Sequence, residues 1–128
     1  MVKGIIITHG GLGEELLKTA RMVFGDFDGC SSISNSGKAT QVLVEELEKA
    51  VSSGVGESCM LFVDFFGGSC CYVCLKFQME HSDVPIISGV NLPILLAFLN
   101  KRNDVPFDEL ARELIRRGQD SIKMVDIE

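Results

Sequence analysis

No stretch of this 128-residue sequence is apolar over the roughly 20 residues that a bilayer-spanning helix needs, so it reads as a soluble chain. Met1-Val2-Lys3-Gly4-Ile5-Ile6-Ile7 carries one positive charge and a very short apolar run. A secretion signal needs a longer apolar region and a small-residue cleavage site, so the expectation is a cytoplasmic protein. Basic residues are outnumbered, 12 Lys and Arg against 18 Asp and Glu, for a net charge of −6. That balance suits a partner with a basic face and is a poor match for nucleic acid. The cysteines are odd in number, five, at 30, 59, 70, 71 and 74. Without a secretion signal they read as free thiols in a reducing compartment. There is no internal repeat, low-complexity segment or linker, so residues 1–128 read as one domain. Apolar residues make up 46%, enough to bury a core and to exclude wholesale disorder.

What is present is an alternation of short apolar runs and helical patterns. Gly4–Thr8 reads as a buried strand, because three consecutive isoleucines leave no polar face. Leu12, Leu16, Ala20 and Val23 then repeat at helical spacing, with Gly25 in a capping position. Cys30–Ser34 is a weak strand, and Ala39, Leu43, Leu47 and Val51 mark a second helix. Residues 52–56 are a loop by composition. Cys59–Asp64 is a strand ending in a carboxylate, and Ser69 is placed to cap a helix running to about Glu80. Val84–Val90 reads as a fourth strand, and Leu92–Lys101 as a helix with Pro93 in its first turn. Asp104–Arg117 reads as a last helix stopped by Gly118, and Ser121–Ile127 as a final short strand. The fold class is α/β, a mostly parallel sheet with helices on both faces.

In such sheets chemistry gathers at the carboxyl ends of the strands. Three segments meet that condition: Thr8 to Gly11, Asp64 to Ser69, and Gly89 to Pro93. His9 follows the first strand directly. A lone loop histidine is most often only that, but this one precedes a helix start, whose free N–H groups and positive dipole end suit a phosphate. Neutral imidazole is nucleophilic, and a partner on one nitrogen leaves the other free. In strand order 2-1-3-4, Asp64 ends the strand beside the first and supplies that partner. Its bland alternative is a carboxylate that only caps a turn. Gly67-Gly68-Ser69 has the composition of an anion nest, with no following lysine for a Walker loop and no GxGxxG for a dinucleotide.

At these residues the sequence resembles the mannose-type enzyme IIA domains of the phosphoenolpyruvate-dependent sugar phosphotransferase system. Ile7-Thr8-His9-Gly10 with Glu15 to Ala20 resembles the family's phosphorylated-histidine segment. Val63-Asp64 with Gly67-Gly68-Ser69 resembles its second active-site loop, and Gly89-Val90-Asn91-Leu92-Pro93 its fourth-strand signature. The resemblance covers nearly the whole chain. It implies a small histidine phosphocarrier protein that donates a phosphoryl group to His9 Nε2, with Asp64 holding Nδ1–H. Gly10, Gly67, Gly68 and Ser69 would receive the phosphoryl oxygens. A histidine on a separate IIB protein would accept the group, and a IIC/IID permease would stand beyond it. No metal or diffusible cofactor is implied, because the proteins supply positioning and charge. Homodimers in which the final strand, here Ser121–Ile127, crosses to the other subunit are also implied.

The departures from the family are local. Phe65 and Phe66 stand where relatives tend to have a polar residue and a tryptophan, and an exposed aromatic pair there would be a partner-docking patch. Cys70-Cys71-Tyr72-Val73-Cys74 stands where proline and small or apolar residues are usual. Cys71 and Cys74 form a C-x-x-C near a helix start, open to a redox reading. The blander reading, buried thiols acting as small hydrophobes, is preferred. Cys30 and Cys59 form no second ligand pair for zinc or an iron–sulfur cluster. His81, beside Glu80 and Asp83, reads as solvated surface. Two rivals to phosphoryl carriage remain: a regulatory module of the same fold, near the phosphotransfer subunit of dihydroxyacetone kinases, and a thiol redox protein using Cys71 and Cys74.

Overall fold

The computed structural model describes residues 1–53 and 57–127. Four strands, β1 (Lys3–Thr8), β2 (Cys30–Ser34), β3 (Cys59–Val63) and β4 (Ile86–Ser88), alternate with α1 (Leu12–Phe24), α2 (Thr40–Ser52) and α3 (Ser69–Gln78). Helices α4 (Leu92–Lys101) and α5 (Phe107–Asp120) follow. The sheet is parallel throughout, in the order β2-β1-β3-β4 expected from the sequence. Of the loop expected over 52–56, residues 54–56 lie outside the described residues.

The isoleucine run of β1 is explained by two cores. Successive strand residues point to opposite faces. Ile6, Met60 and Phe62 therefore pack with Leu17 of α1, Phe98 of α4 and Leu110 and Leu114 of α5. Ile5, Ile7, Leu61 and Val63 pack instead with Leu43 and Leu47 of α2 and Cys70, Val73, Cys74 and Phe77 of α3. Both faces of β1 and β3 are buried; Lys3, which opens β1, is accommodated because its ammonium donates to Ala50 O and Ser53 Oγ, each at 2.6 Å.

Several local expectations are corrected. α1 buries Gly13, Leu17 and Ala20, whereas Leu12 and Val23 are exposed. The buried Thr8 hydroxyl accepts the Gly13 N–H at 2.9 Å, which sets how the first turn is rotated against the sheet. β4 is shorter than its apolar run, because pairing with β3 extends only over Ile86, Ile87 and Ser88. His81 is half-buried rather than solvated: its ring stacks on Phe77 at 4.1 Å, and Nε2 meets Glu48 at 3.0 Å.

The carboxyl-terminal boundary is also corrected. Gly118 lies inside α5 rather than ending it, and it is buried. A Cβ built on Gly118 would stand 2.5 Å from Ile94 Cγ1 and 2.6 Å from its Cδ1. The glycine is there so that α5 can lie close on α4. Residues 122–127 form no strand in the single chain. Ile122, Met124, Val125 and Ile127 are all at least 80% exposed. An isolated strand has no ladder to satisfy its backbone, so alternation alone does not produce one.

Gly118→Val is expected to destabilise the fold by about 1–3 kcal/mol through overpacking. The urea midpoint should fall, and Ile94→Ala in the same chain should recover part of the loss. Equal midpoints for Gly118→Val and wild type would rule out the close-approach role.

Candidate functional site

Three strand ends build the site. The register sets Thr8 opposite Ser34 and Ile7 opposite Val63, so His9, Asn35 and Asp64 emerge together at the carboxyl end of the sheet. Asp64 Oδ2 accepts the His9 backbone N–H at 2.9 Å and lies 2.9 Å from the ring Nδ1. Its other oxygen accepts the Phe65 N–H at 3.1 Å. An ionised carboxylate only accepts, so Nδ1 carries a proton toward Asp64, and in the neutral form of the ring the lone pair is then on Nε2. Ser69 Oγ lies 3.1 Å from Nε2. With that tautomer the hydroxyl donates to the ring.

Ser69 does not cap α3 as expected. Gly68 is the cap residue, with no side-chain cap bond, and Ser69 is the first helical residue. Its hydroxyl is turned to His9 instead. Among the described residues, the N–H groups of Gly67, Gly68 and Ser69 have no backbone or side-chain acceptor. They are the unpaired donors of a helix start, as the nest composition implied. Gly68 also leaves space for rings: a Cβ there would stand 2.6 Å from Phe65 and 3.1 Å from His9 Cε1.

Phe65 stacks on the His9 imidazole, with centroids 5.1 Å apart and planes 23° from parallel. Phe65 and Phe66 are both exposed, Phe66 the more so. The two phenylalanines thus differ: one limits how the histidine ring tilts, and the other faces outward.

Asn35 was not among the sequence candidates. Its Nδ2 donates to Ser69 Oγ at 3.2 Å, and its Oδ1 accepts the Gly10 N–H at 3.3 Å. An oxygen that accepts from Asn35 keeps its own hydrogen for His9. The strand-end rule that found His9 applies equally to Asn35. β2 hid it, because Cys30-Ser31-Ser32-Ile33-Ser34 buries only Ile33 and patterns weakly. The third segment, after β4, stands apart in role: Asn91 Oδ1 accepts the Ile94 N–H at 2.9 Å and so caps α4.

Burial raises the Asp64 carboxyl. The His9 backbone bond, the ring bond and the ring charge outweigh it, leaving Asp64 below its ordinary value. Burial, and then the Asp64 charge, push the Cys70 thiol up to about 11. Cys74 is driven higher still, by burial first and then by its neighbouring thiols. Cys71 and Cys74 are both buried and unpaired. A buried thiol with a raised pKa is a poor redox nucleophile, which favours the small-hydrophobe reading at Cys74. His9 Nδ1, an Asp64 carboxylate oxygen and Cys70 Sγ lie within 4.8 Å of one another, a set that can hold a metal ion. What the arrangement offers chemically is an imidazole held at Nδ1 by Asp64, with Nε2 turned to the Ser69 hydroxyl at the start of α3, where backbone N–H groups stand unpaired among the described residues.

The comparisons with known proteins agree on the family. The family profile described as PTS system fructose IIA component, EIIA-man, matches residues 3–115. The chain belongs to this family, the mannose-type enzyme IIA domains of the sugar phosphotransferase system. It is 30% identical over 122 residues to the mannose-specific EIIAB component of Escherichia coli, covering 93% of this chain and 38% of that protein. The chain thus spans well under half the length of that relative. It is 30% identical over 126 residues to the fructose-specific EIIA component of Bacillus subtilis, covering 97% of this chain and 86% of that one. The crystal structure of phosphotransferase system component EIIA from Streptococcus agalactiae shares the fold at a TM-score of 0.89. Its identity is 22%, over 97% of each chain. Among the described residues no helix is long and apolar enough to cross a membrane.

A carboxyl whose native pKa is depressed contributes stability above its unfolded value and loses it as pH falls through the native value. Asp64→Asn should therefore be less stable than wild type at neutral pH. The gap between their urea midpoints should close as pH drops below the ordinary value of 3.8. A gap that stays constant through that range would remove Asp64 from the acid response.

Proposed function

We propose that His9 carries a phosphoryl group on Nε2 as a transient intermediate of sugar phosphotransfer. The observation that supports this most is the line Asp64–His9–Ser69. It leaves one imidazole nitrogen with a lone pair and sets it beside unpaired backbone donors. A small histidine phosphocarrier protein supplies the group from its own phosphohistidine. The Nε2 lone pair forms the new N–P bond while the donor's N–P bond breaks and its electron pair returns to the donor ring. Asp64 stabilises the positive charge that develops on His9. The Ser69 hydroxyl leaves Nε2 and turns to a phosphoryl oxygen, joined by the N–H groups of Gly67, Gly68 and Ser69. Asn35 holds Ser69 through this exchange. Gly10, a further candidate phosphoryl contact, has its N–H on Asn35 in the resting site.

The reverse step passes the group to a histidine of a IIB protein, and from there to a sugar entering through a IIC/IID permease. The similarity to mannose-, fructose- and sorbose-specific relatives supports this pathway class. Phe66 and the outer edge of Phe65 form the docking patch for these partners, and the carrier works in the cytoplasm without a cofactor. It is a homodimer. The exposed apolar residues after Ser121 and the β4 edge away from β3 support exchange of the carboxyl-terminal segment between subunits.

Incubation with phosphoenolpyruvate, enzyme I and the phosphocarrier should add one phosphoryl group by intact mass at mildly alkaline pH. His9→Ala should add none, and Ser69→Ala should accept it about 100-fold more slowly, as for loss of one preorganised donor. Full labelling of His9→Ala, or none of wild type with active donors, would overturn the assignment. Label that stays on His9 whichever IIB is offered would point to regulation instead. Removal of residues 122–128 should convert a dimer to a monomer by light scattering, and a stable truncated dimer would refute strand exchange.

A further inference from the structure

We propose that His9 Nδ1, Asp64 Oδ2 and Cys70 Sγ form a binding site for a thiophilic divalent cation of the zinc class, and that the bound cation disables His9 as a phosphoryl acceptor. The second half rests on the function proposed above; the first does not.

The three atoms are of different chemistry and converge from different elements: the end of β1, the end of β3 and the first turn of α3. Nδ1 is 2.9 Å from Oδ2 and 3.7 Å from Sγ, and all three lie within 4.8 Å of one another. Tetrahedral zinc, with bonds of about 2.0–2.1 Å to N and O and 2.3 Å to S, separates its ligand atoms by about 3.3 Å for N and O and about 3.6 Å for N and S. The two separations from Nδ1, 2.9 and 3.7 Å, are within a few tenths of an ångström of those edges, and the oxygen–sulfur edge, within 4.8 Å, closes on the cation by a small rotation of the Asp64 or Cys70 side chain. Carboxylate and thiolate together balance a double positive charge. A nitrogen, an oxygen and a sulfur from protein leave the fourth position to water, the arrangement of an open rather than a closed zinc site. Sulfur selects against magnesium and calcium and in favour of zinc and its softer neighbours.

Binding moves two protons. The Cys70 thiol proton leaves to solvent as the sulfur–metal bond forms. The imidazole proton leaves Nδ1, which now donates its lone pair to the cation, and a proton is taken up on Nε2. Nε2–H has no lone pair to offer phosphorus. The cation therefore inhibits without touching the attacking nitrogen, by reversing the tautomer that Asp64 otherwise holds.

The direct probe is cobalt(II) added to the full, reduced, metal-free protein, followed by its thiolate charge-transfer absorption in the near ultraviolet. Wild type should give a saturable band with one equivalent, displaced by zinc. Cys74→Ser should keep it. Cys70→Ser should lose the band and bind at least about tenfold more weakly, the lower end of what even outer-sphere changes cost. Asp64→Asn gives a second variant should Cys70→Ser fail to fold by circular dichroism, and its affinity should fall likewise. No band with wild type, an undiminished band in Cys70→Ser, or an undiminished cobalt affinity in folded Asp64→Asn would overturn the site. With zinc at the concentration that half-inhibits wild type, phosphoryl acceptance in folded Cys70→Ser should stay near its zinc-free rate, and at saturating zinc acceptance by wild type should fall at least about tenfold. Acceptance untouched by bound zinc would overturn the inhibition, while a wild type that never accepts a phosphoryl group defeats the functional reading and leaves the cobalt result standing.

Discussion

A single carboxylate oxygen, Asp64 Oδ2, takes both the backbone and the ring of His9. Everything else about the site depends on this pair of hydrogen bonds. The backbone contact fixes where the chain leaves β1, and the ring contact fixes which nitrogen faces outward. Neither is possible unless β1 and β3 are adjacent and in register, with Ile7 opposite Val63. The isoleucine and β3 runs that fill two cores are thus the reason two polar side chains from distant parts of the sequence meet at the sheet's end. Opposite the carboxylate, Ser69 and Asn35 continue the line of hydrogen bonds, and each group constrains the next because each oxygen or nitrogen has a limited set of donors and acceptors.

Strand order, and with it the meeting of His9 and Asp64 at the sheet's end, was legible in the sequence. Uninterrupted apolar runs mean doubly covered parallel strands, and polar residues just beyond them fall at the chemical end of the sheet. Asn35 was not legible, since β2 is an edge strand whose small polar residues blur its boundary. For Ser69 the position was legible and the hydrogen-bond partner was not. The sequence shows that a hydroxyl begins α3, not that a histidine lies 3.1 Å away to take it. Phe65 was read as surface, while its stacking on the imidazole depends on the glycine at 68 leaving a gap.

The errors in the helices share one cause. Periodicity ranks residues by polarity, whereas the packed face is chosen by what the partner surface leaves free. α1 turns its glycine to the sheet because Thr8 binds that turn, and α5 keeps Gly118 because Ile94 fills the space above it. In the carboxyl-terminal segment, alternation is a property of one chain but a strand needs two, so Ser121 to Ile127 has the pattern without the structure.

The central claim is that Asp64 keeps the proton on Nδ1 so that Nε2 is the phosphoryl acceptor. With only two histidines in the chain, long-range proton–nitrogen NMR of the imidazole rings tests it most directly, His81→Gln assigning the pair. At neutral pH His9 should show a protonated Nδ1 and an unprotonated Nε2, and phosphorylation should shift Nε2 and couple it to phosphorus. A resting Nε2–H tautomer, or phosphorus coupled to Nδ1, would contradict it.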